Sequence, residues 1–460
     1  MATPSGHDIV GSPETSGRLT VDDLRQRIAA NEIHTVLLGF VDMQGRLQGK
    51  RCSAAYFLND VLDHGSGACN YLLSVNVEME PQLGYTTASW DTGYGDFVLI
   101  PDLSTLRIVG WRDGVAVCFS DAHWFDQRPV QPSPRAVLRT QLERLAERGW
   151  RAEAATELEF IVHEDSYADA WNRDYRDLRP ITRYNVDYSL LGVTQADPLI
   201  ETLCRSLEAS GIVVETAKGE ANFGQQEVNL RHDEALATAD AHVLFKHAVK
   251  EIALQLGVSA TFMAKYNARE GNSCHVHMSL LDTDGGAVFA DQPKIFDHFI
   301  AGQLACMKEF TLFYAPNVNS YKRFSDRSFA PTAIAWGRDN RSCAVRVVGS
   351  GASTRIENRL GGADVNPYLV LAATIAAGLH GIDNELELPP AEERDAYSAD
   401  HDRVPLTIGA ATAAFTQSST ARASFGDAVV DHYTRAAEIE MNEFNAHVTD
   451  WEKRRGYERL

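Results

Sequence analysis

The sequence predicts an α+β protein with a small N-terminal unit and a larger C-terminal unit whose sheet is mostly antiparallel. Helical and strand-like stretches alternate along the chain, but without the strict repeat of βαβ units that a doubly wound sheet needs. Prolines at 129, 132 and 134 mark a boundary between the two units. The length of 460 residues is long for one domain and comfortable for two.

The predicted N-terminal domain covers residues 18–127 and follows a disordered tail, residues 1–17, that is small, polar and rich in Pro and Gly. Thr20 is a candidate N-cap, with Asp23 three residues later. The apolar run HTVLLGFVD and the stretch RLQGKR flank turn residues Met43 to Gly45, which predicts a hairpin. A helix closed by Gly65 and several short strands complete this α+β unit.

The predicted catalytic domain covers residues 128–460, and its elements are longer. Its order is a helix from Arg135 to Arg148, the TELEF strand, a helix from Pro198 to Gly211, the GQQEVNL strand, a helix from Ala235 to Leu256, and a strand with two histidines.

Composition excludes several classes of function. The net charge is −20 and no run of Lys or Arg occurs, so nucleic acid is not an expected partner. Seven cysteines without a C-x-x-C pair do not form a disulfide framework, which favours a reducing, cytoplasmic compartment. The longest apolar run, Tyr368 to Leu379, is about half the ~20 residues of a membrane span, and no signal peptide is evident, so we expect neither secretion nor membrane insertion.

The stretch REGNSCHVHMSLL carries the most informative chemistry. His275, His277 and Ser279 alternate along it and therefore project from one face of a strand. Carboxylates for a metal site at that face come from three other stretches, TELEF, GEANFGQQE and RIENR. Any one such pair is more often a solvated face, but acids among strand residues persist in a core only when they are paired or bound to metal.

The ordered motifs of the chain resemble those of glutamine synthetases and their γ-glutamyl-amine ligase relatives. The resemblance covers nearly the whole chain after the tail and includes ATELEF, GQQEVNL, ATFMAKYNAREGNSCHVHMSL, NVNSYKRF, DNRSCAVRV, RIENR, ADVNPYLVLAA and the closing VTDWEKRRGYERL. It implies a β-grasp N-terminal domain and a catalytic domain with a funnel-shaped active site. It also implies a homododecamer whose active sites are shared between neighbouring subunits.

The resemblance implies two or more Mg²⁺ or Mn²⁺ ions per active site, with ATP as a substrate. One ion would be held by Glu159, Glu220 and Glu227, and the other by Glu157, His275 and Glu357. The donor chemistry agrees, because oxygen-rich sites with at most one imidazole suit Mg²⁺ or Mn²⁺ better than zinc. No glycine-rich phosphate loop occurs, so phosphate binding is expected to depend on metals and arginines.

The remaining site residues are carried over from the same resemblance. Arg323, Arg359 and Gly271 match the glutamate site. The positions that match the nucleotide site or the transferred phosphoryl group are Arg341, Arg346, Arg355, Glu215, His277 and Ser279. The bland alternative is a solvated arginine-rich face, which we accept for Arg338. In RIENR, however, Arg355, Glu357 and Arg359 alternate on one strand face, a costly arrangement unless it lines a site for anions and metal.

Two departures from the ammonia-using pattern predict a different nitrogen substrate. Cys69 and Phe329 stand where ammonia-using members carry carboxylates that bind ammonium and accept its proton. Their replacement makes room for an organic amine. We therefore expect a ligase that joins the γ-carboxyl of glutamate to a primary amine through γ-glutamyl phosphate. A small monoamine such as ethanolamine is favoured over a polyamine, unless Glu78, Glu80 or Asp326 supplies acids.

Further positions leave alternatives open. Glu270 replaces an asparagine beside Gly271, and it would bind the α-ammonium of glutamate, deprotonate the amine, or only pair with a nearby arginine. Leu386 stands where regulated members carry the adenylylated tyrosine, so that control is not expected. The alternatives for function are an ammonia-using glutamine synthetase and a catalytically silent regulatory homologue.

Overall fold

The structure, a computed structural model, describes residues 17–325 and 327–460. The N-terminal part forms a sheet in the order β2-β1-β6-β4-β3, with β5 paired to β6. Its strands are β1 (Thr35–Val41), β2 (Leu47–Ser53), β3 (Ser66–Cys69), β4 (Asp96–Pro101), β5 (Arg107–Ile108) and β6 (Val115–His123). Its helices are α1 (Val21–Ala29), α2 (Ala54–Tyr56) and α3 (Leu62–His64), and a π-turn (Phe57–Val61) joins the last two.

A larger sheet in the order β13-β14-β15-β12-β7-β9-β8 forms the C-terminal part, and β10 and β11 also pair with β7. Within the described residues, all of its strand pairs are antiparallel except β13 with β14. The predicted α+β fold class with a mostly antiparallel catalytic sheet is therefore confirmed. The strands are β7 (Trp150–His163), β8 (Val214–Gly219), β9 (Gln225–Leu230), β10 (Asp233–Glu234), β11 (Ser259–Thr261), β12 (Cys274–Asp282), β13 (Trp336–Arg338), β14 (Val345–Val348) and β15 (Arg355–Asn358).

Helices pack on the larger sheet. The close contact of α10 with α11 depends on glycine, because a Cβ on Gly302 would lie 2.0 Å from the carbonyl oxygen of Ala377. The helices are α4 (Pro134–Ala146), α5 (Tyr167–Asn172), α6 (Leu190–Val193), α7 (Asp197–Ala209), α8 (Ala235–Leu256), α9 (Val288–Asp291), α10 (Pro293–Tyr314), α11 (Pro367–Asp383), α12 (Ile408–Gln417), α13 (Ser419–Phe425), α14 (Asp427–Ala446) and α15 (Asp450–Gly456).

The register of the larger sheet places acidic and imidazole side chains side by side. His275 on β12 lies opposite Glu157 on β7, and Glu159 lies opposite Glu227 on β9. On the other side of β12, His277 lies opposite Glu357. Because residues two apart on a strand share a face, these pairs line one surface of the sheet.

A buried arginine joins the two parts of the chain. Arg135 on α4 is 1% exposed. Its guanidinium donates to Asp102 at 2.9 Å and to Asp121 at 3.2 Å, both in the N-terminal part, and to Asp240 on α8 at 3.0 Å. Buried charges of this kind persist when they are paired and hydrogen-bonded. Asp102 and Asp121 of the N-terminal part thus help to neutralise Arg135 on α4.

The first helix begins where the sequence predicts it. Thr20 caps α1 and forms a capping box with Asp23, as the spacing predicted. The predicted tail lies outside the described residues except for Gly17, whose carbonyl accepts a hydrogen bond from the Ile108 amide. No helix in the described ranges is both long enough and apolar enough to cross a bilayer.

Candidate active site

Three glutamates from neighbouring strands converge at one end of the site. Glu159 on β7, Glu220 directly after β8, and Glu227 on β9 offer carboxylate oxygens that all lie within 4.8 Å of one another. The Ser273 amide and the Gln225 side chain donate to Oε2 of Glu159 at 2.8 and 2.9 Å. We call these three residues the triglutamate cluster.

The electrostatics of the triglutamate cluster call for a cation. Burial, together with the charges of Glu220 and Glu227, raises the pKa of Glu159. The pKa values of Glu220 and Glu227 are also raised, chiefly by burial. Lys218 pairs with Glu220, and the charge of Arg323 acts on Glu159, but these two cations cannot balance three carboxylates. A divalent ion would relieve this repulsion.

A second cluster lies next to the first on the same sheet. Ligand atoms of Glu157, His277 and Glu357 lie within 4.8 Å of one another. His275, rather than His277, is the member of this set that the family resemblance implies. In the structure, Nδ1 of His275 lies 3.0 Å from Glu157 and 3.4 Å from Glu357, so both imidazoles border the two carboxylates. We call these four residues the histidine cluster.

The histidine cluster differs from the triglutamate cluster in its charge balance. Burial alone would raise the pKa of Glu157, but hydrogen bonds with His275 and His277 outweigh burial and lower it. Burial also opposes ionisation of Glu357, yet its pKa is lowered by the nearby His275 and Arg359. Glu357 is fully buried and accepts from Arg346 at 2.8 Å and from Arg359. Both glutamates therefore remain ionised.

The residues of both clusters fit divalent cations. Nε2 of His275 is buried and has no hydrogen-bond partner among the described residues, as expected of a nitrogen that awaits a ligand. Burial and Arg359 lower the pKa of His275, which keeps the imidazole in its neutral, metal-binding form. The donors are otherwise carboxylate oxygens, which suit Mg²⁺ or Mn²⁺.

The predicted arginines do not all reach the site. Arg346 contacts Glu357, and Nε of Arg355 lies 3.3 Å from Nδ1 of His277. Arg359 is buried beside Glu357, and its Nε has no partner within the described ranges. Arg341, in contrast, is exposed on the turn before β14. Four guanidinium groups, with Arg323, therefore border the clusters.

A tight contact defines the predicted glutamate position. A Cβ on Gly271 would lie 2.5 Å from the Ala264 carbonyl oxygen and 2.8 Å from Cγ of Arg323, so only glycine fits there. Arg323 is 2% exposed and donates to the carbonyls of Leu360 and Arg359. Gly271 and Arg323 thus form one wall beside the triglutamate cluster.

The other predicted residues lie outside the two clusters. Cys69 ends β3 in the N-terminal sheet, whereas Phe329 is 65% exposed on the loop before β13. Glu215 and Glu270 are exposed, and within the described residues no ion pair joins Glu270 to an arginine. Ser279 lies opposite Glu153 on β7. Asp326 lies outside the described residues.

Sequence reasoning missed residues that hold the site in place. Gln225 is 1% exposed and donates to Glu159, to the Gly271 carbonyl and to Asn272. Asp339 pairs with Arg346. The signal for Gln225 was its position two residues before Glu227, which puts both on one face of β9. For Asp339 the sequence offered no signal, because its contact depends on the pairing of β13 with β14.

Fold and site together define an α+β protein with two clusters of acidic and imidazole side chains that fit divalent cations. Residues 131–456 match the model of the glutamine synthetase catalytic domain. The chain belongs to the glutamine synthetase family.

Three relatives refine this assignment. The chain is 53% identical to gamma-glutamylethanolamide synthetase GlnA4 of Streptomyces coelicolor, over 96% of each chain. It is 37% identical to a glutamate–isopropylamine ligase of a Pseudomonas species, over 93% of this chain and 96% of the relative. A solved structure titled a GmaS/ADP complex superposes with a TM-score of 0.83 at 27% identity, covering 95% of this chain and 99% of the other.

Proposed function

We propose that this protein is an ATP-dependent ligase that joins the γ-carboxyl of glutamate to a small primary amine. The observation that carries the proposal is the convergence of two acidic clusters and three arginines along one sheet, next to the wall formed by Gly271 and Arg323. Relatives named as ligases of ethanolamine and isopropylamine support an organic acceptor.

The first step transfers a phosphoryl group. The γ-carboxylate of glutamate attacks the γ-phosphorus of ATP, the bond to the β,γ-bridging oxygen breaks, and γ-glutamyl phosphate and ADP form. Two or more divalent cations, held by the triglutamate and histidine clusters, would neutralise polyphosphate charge. Arg346 and Arg359 lie against Glu357 and present cationic groups for the transferred phosphoryl and for glutamate. Arg341 would join them from its exposed turn.

The second step forms the amide. The amine nitrogen attacks the acyl carbon, the C–N bond forms, the bond to the phosphate oxygen breaks, and phosphate leaves. The amine must lose protons, and Glu270 is our candidate base because its exposed carboxylate lies one residue before Gly271. Gln225 and the Ser273 amide hold Glu159 in place by hydrogen bonds. The distance between the bound cation and the bound glutamate would therefore stay constant during the reaction.

The acceptor is a short amine such as ethanolamine. Cys69 and Phe329 provide no charge for a distal ammonium group, which a polyamine would need. Glu80 is engaged by Asn76, which donates to its carboxylate at 3.2 Å, and this leaves it less suited to a second ammonium. The share of identity with the ethanolamide-forming relative supports the same preference.

We further propose a cytoplasmic homododecamer with sites shared between subunits. Cys69 ends a strand of the N-terminal sheet and Phe329 lies on a loop of the C-terminal part, and the family resemblance implies that such positions meet in active sites shared between neighbouring subunits. All seven cysteines are free, which suits a reducing compartment. Analytical ultracentrifugation tests the assembly, and we expect the mass of twelve chains.

A panel of amines tests the proposal. Glutamate-dependent phosphate release is measured with ammonia, ethanolamine, isopropylamine, putrescine and spermidine, and a Glu159→Gln enzyme supplies the background. We expect kcat/KM for ethanolamine to exceed that for ammonia at least tenfold. The highest value with ammonia would indicate an ordinary glutamine synthetase instead. Phosphate release that no amine stimulates would indicate a silent homologue.

A further inference from the structure

Glu270, the candidate base, lies on a tight loop from Ala264 to Asn272, which we call the Glu270 loop. The Asn272 amide donates to the Ala264 carbonyl at 2.9 Å and closes the base of the loop. Inside the loop, the ammonium group of Lys265 donates to the Arg269 carbonyl. These bonds fix the shape of the loop, but its orientation toward the two acidic clusters has to come from contacts with other parts of the chain.

A buried asparagine outside the loop supplies one such contact. Asn222 is 0% exposed, and its Nδ2 donates to the Glu270 carbonyl at 2.7 Å and to Oδ1 of Asn267 at 3.0 Å. Its backbone amide donates to Oε1 of Gln225 at 2.9 Å, and its Oδ1 accepts from the Phe223 amide at 2.8 Å. Because an N–H group needs an oxygen as its acceptor, these bonds fix the orientation of the Asn222 side chain, with its two donors toward the Glu270 loop.

A second contact lies beside the first. The guanidinium of Arg269 lies over the ring of Phe223, 3.7 Å from the ring centroid. A cation in this position is attracted to the face of the ring. Consecutive residues, Asn222 and Phe223, thus hold the consecutive residues Glu270 and Arg269. A shift of the Glu270 loop has to break both contacts.

The segment that holds the loop also carries two members of the triglutamate cluster. Asn222 follows Glu220 by two residues, and Gln225 precedes Glu227 by two. This short segment therefore relates the Glu270 loop to the predicted cation position. Asn222 binds only the backbone of Glu270, whose side chain is exposed. The carboxylate is therefore available to a substrate while its backbone is held.

We propose that Asn222 is a positioning residue for the amine substrate: it holds Glu270 where the carboxylate takes a proton from the ammonium form of the acceptor. The proton moves from nitrogen to the carboxylate, and the lone pair that it leaves attacks the acyl carbon of γ-glutamyl phosphate. Misplacement of a reacting group by about 1 Å costs up to about 100-fold in rate. This role of Asn222 rests on the proposed ligase function and adds to it the device that places the base.

Two acceptors that differ in protonation test this role. Ethanolamine is mostly an ammonium ion near neutral pH and has to lose a proton before it attacks, whereas hydroxylamine is mostly neutral there and does not. Glutamate-dependent phosphate release by the full-length enzyme gives kcat/KM for each acceptor. We expect Asn222→Ala to lower the value for ethanolamine at least about tenfold and the value for hydroxylamine less than about threefold.

Asn366→Ala is the matched control. Asn366 is 3% exposed, and its Nδ2 also donates to two acceptors, the carbonyls of Asp42 and Met43, but it lies at the start of α11. Loss of these bonds should lower the Tm, as loss of the Asn222 bonds does. The ratio of kcat/KM for ethanolamine to that for hydroxylamine should nevertheless stay at the wild-type value. An equal change of this ratio in both variants would overturn the proposal.

A double-mutant cycle with Glu270 separates positioning from packing. The base is already absent from Glu270→Gln, so a further Asn222→Ala change should lower kcat/KM for ethanolamine less than about twofold. An undiminished loss in that background would overturn the role of Asn222 and leave the ligase function intact. The same holds if Glu270→Gln uses ethanolamine as well as the wild type does. A wild type whose phosphate release no amine stimulates would instead contradict the ligase function itself.

Phe223→Leu keeps the proposal testable if Asn222→Ala does not fold. Phe223 is only partly buried, and the change removes the contact with Arg269 while it leaves the Asn222 bonds in place. We expect kcat/KM for ethanolamine to fall about threefold and that for hydroxylamine to stay unchanged. Equal losses with both acceptors, in either variant, would show that the loop serves glutamate binding alone and would overturn the proposal.

Discussion

The side chain of Gln225 links two parts of the active site, because its Nε2 donates to Oε2 of Glu159 and to the carbonyl of Gly271, each at 2.9 Å. Glu159 belongs to the triglutamate cluster, and Gly271 lies at the predicted glutamate position. A single buried amide therefore relates the predicted position of a cation to the predicted position of glutamate.

We expect Gln225→Met to lower kcat/KM for glutamate about tenfold or more and to weaken Mn²⁺ binding, because both hydrogen bonds are lost and their acceptors stay buried. Steady-state kinetics and electron paramagnetic resonance of Mn²⁺ measure the two effects. Gln226→Met is the matched control, since Gln226 is equally buried and points to the opposite face of β9. Similar losses in both variants would show that Gln225 acts only through packing.

Substitutions in the two acidic clusters should change the stability of the chelator-treated protein in opposite directions. Glu159→Gln removes one of three crowded carboxylates and should raise the free energy of unfolding by about 1 kcal/mol. Glu357→Gln removes the buried partner of Arg346 and Arg359 and should lower it by about 3 kcal/mol. Urea denaturation in EDTA measures both. If both substitutions changed the free energy of unfolding in the same direction, the difference in charge balance between the two clusters would be contradicted.

Restoring an acid at position 329 should shift the choice of nitrogen substrate. We expect Phe329→Glu to raise the ratio of kcat/KM for ammonia to that for ethanolamine at least tenfold, because a carboxylate favours a small cation and removes apolar contact. Phe329→Gln, of nearly the same shape but uncharged, is the control. The side chain is 65% exposed, so neither variant should disturb folding. An unchanged ratio would show that Phe329 does not line the amine pocket.

Acid should weaken the protein through His432. This histidine packs against Met43 and Tyr85 between α14 and the N-terminal part, and burial lowers its pKa to about 3. The pKa of His432 is lower in the folded protein than in the unfolded chain. The contribution of His432 to the free energy of unfolding is therefore complete above about pH 6.5 and declines by about 1.4 kcal/mol per pH unit below that.

The Tm of the wild type should therefore fall more steeply between pH 6.5 and 5 than that of His432→Gln, when both are scanned by fluorimetry at a fixed rate. His380→Gln, at the partly exposed end of α11, serves as the control and should follow the wild type. Parallel curves for the wild type and His432→Gln would show that other groups dominate acid unfolding.

The sequence predicted which residues share a face of a strand better than it predicted which residues of neighbouring strands lie opposite each other. The alternation of Glu157 with Glu159 follows from the two-residue period of a strand, and no partner needs to be known. The contact of His275 with Glu157 depends instead on the register between β12 and β7, which distant parts of the chain determine. The family resemblance supplied that information for the ligands.

Residues on loops and residues that only support others escaped this reasoning. Gln225 is an uncharged amide without a chemical signature, so its bonds to Glu159 and Gly271 emerge only when β9 and the loop at Gly271 are placed together. Arg341 matched a motif, yet its turn leaves it exposed in a single chain. The roles of the individual site residues remain predictions that the variants above address.

The Arg135 contacts limit how the chain can be recombined with its relatives. A chimera that receives a foreign N-terminal domain inherits Arg135 and Asp240 from one parent, but must obtain counterparts of Asp102 and Asp121 from the other. Without them, a guanidinium that is 1% exposed would retain too little negative charge around it. Exchange of domains to alter amine preference therefore has to transplant these two aspartates together with the pocket.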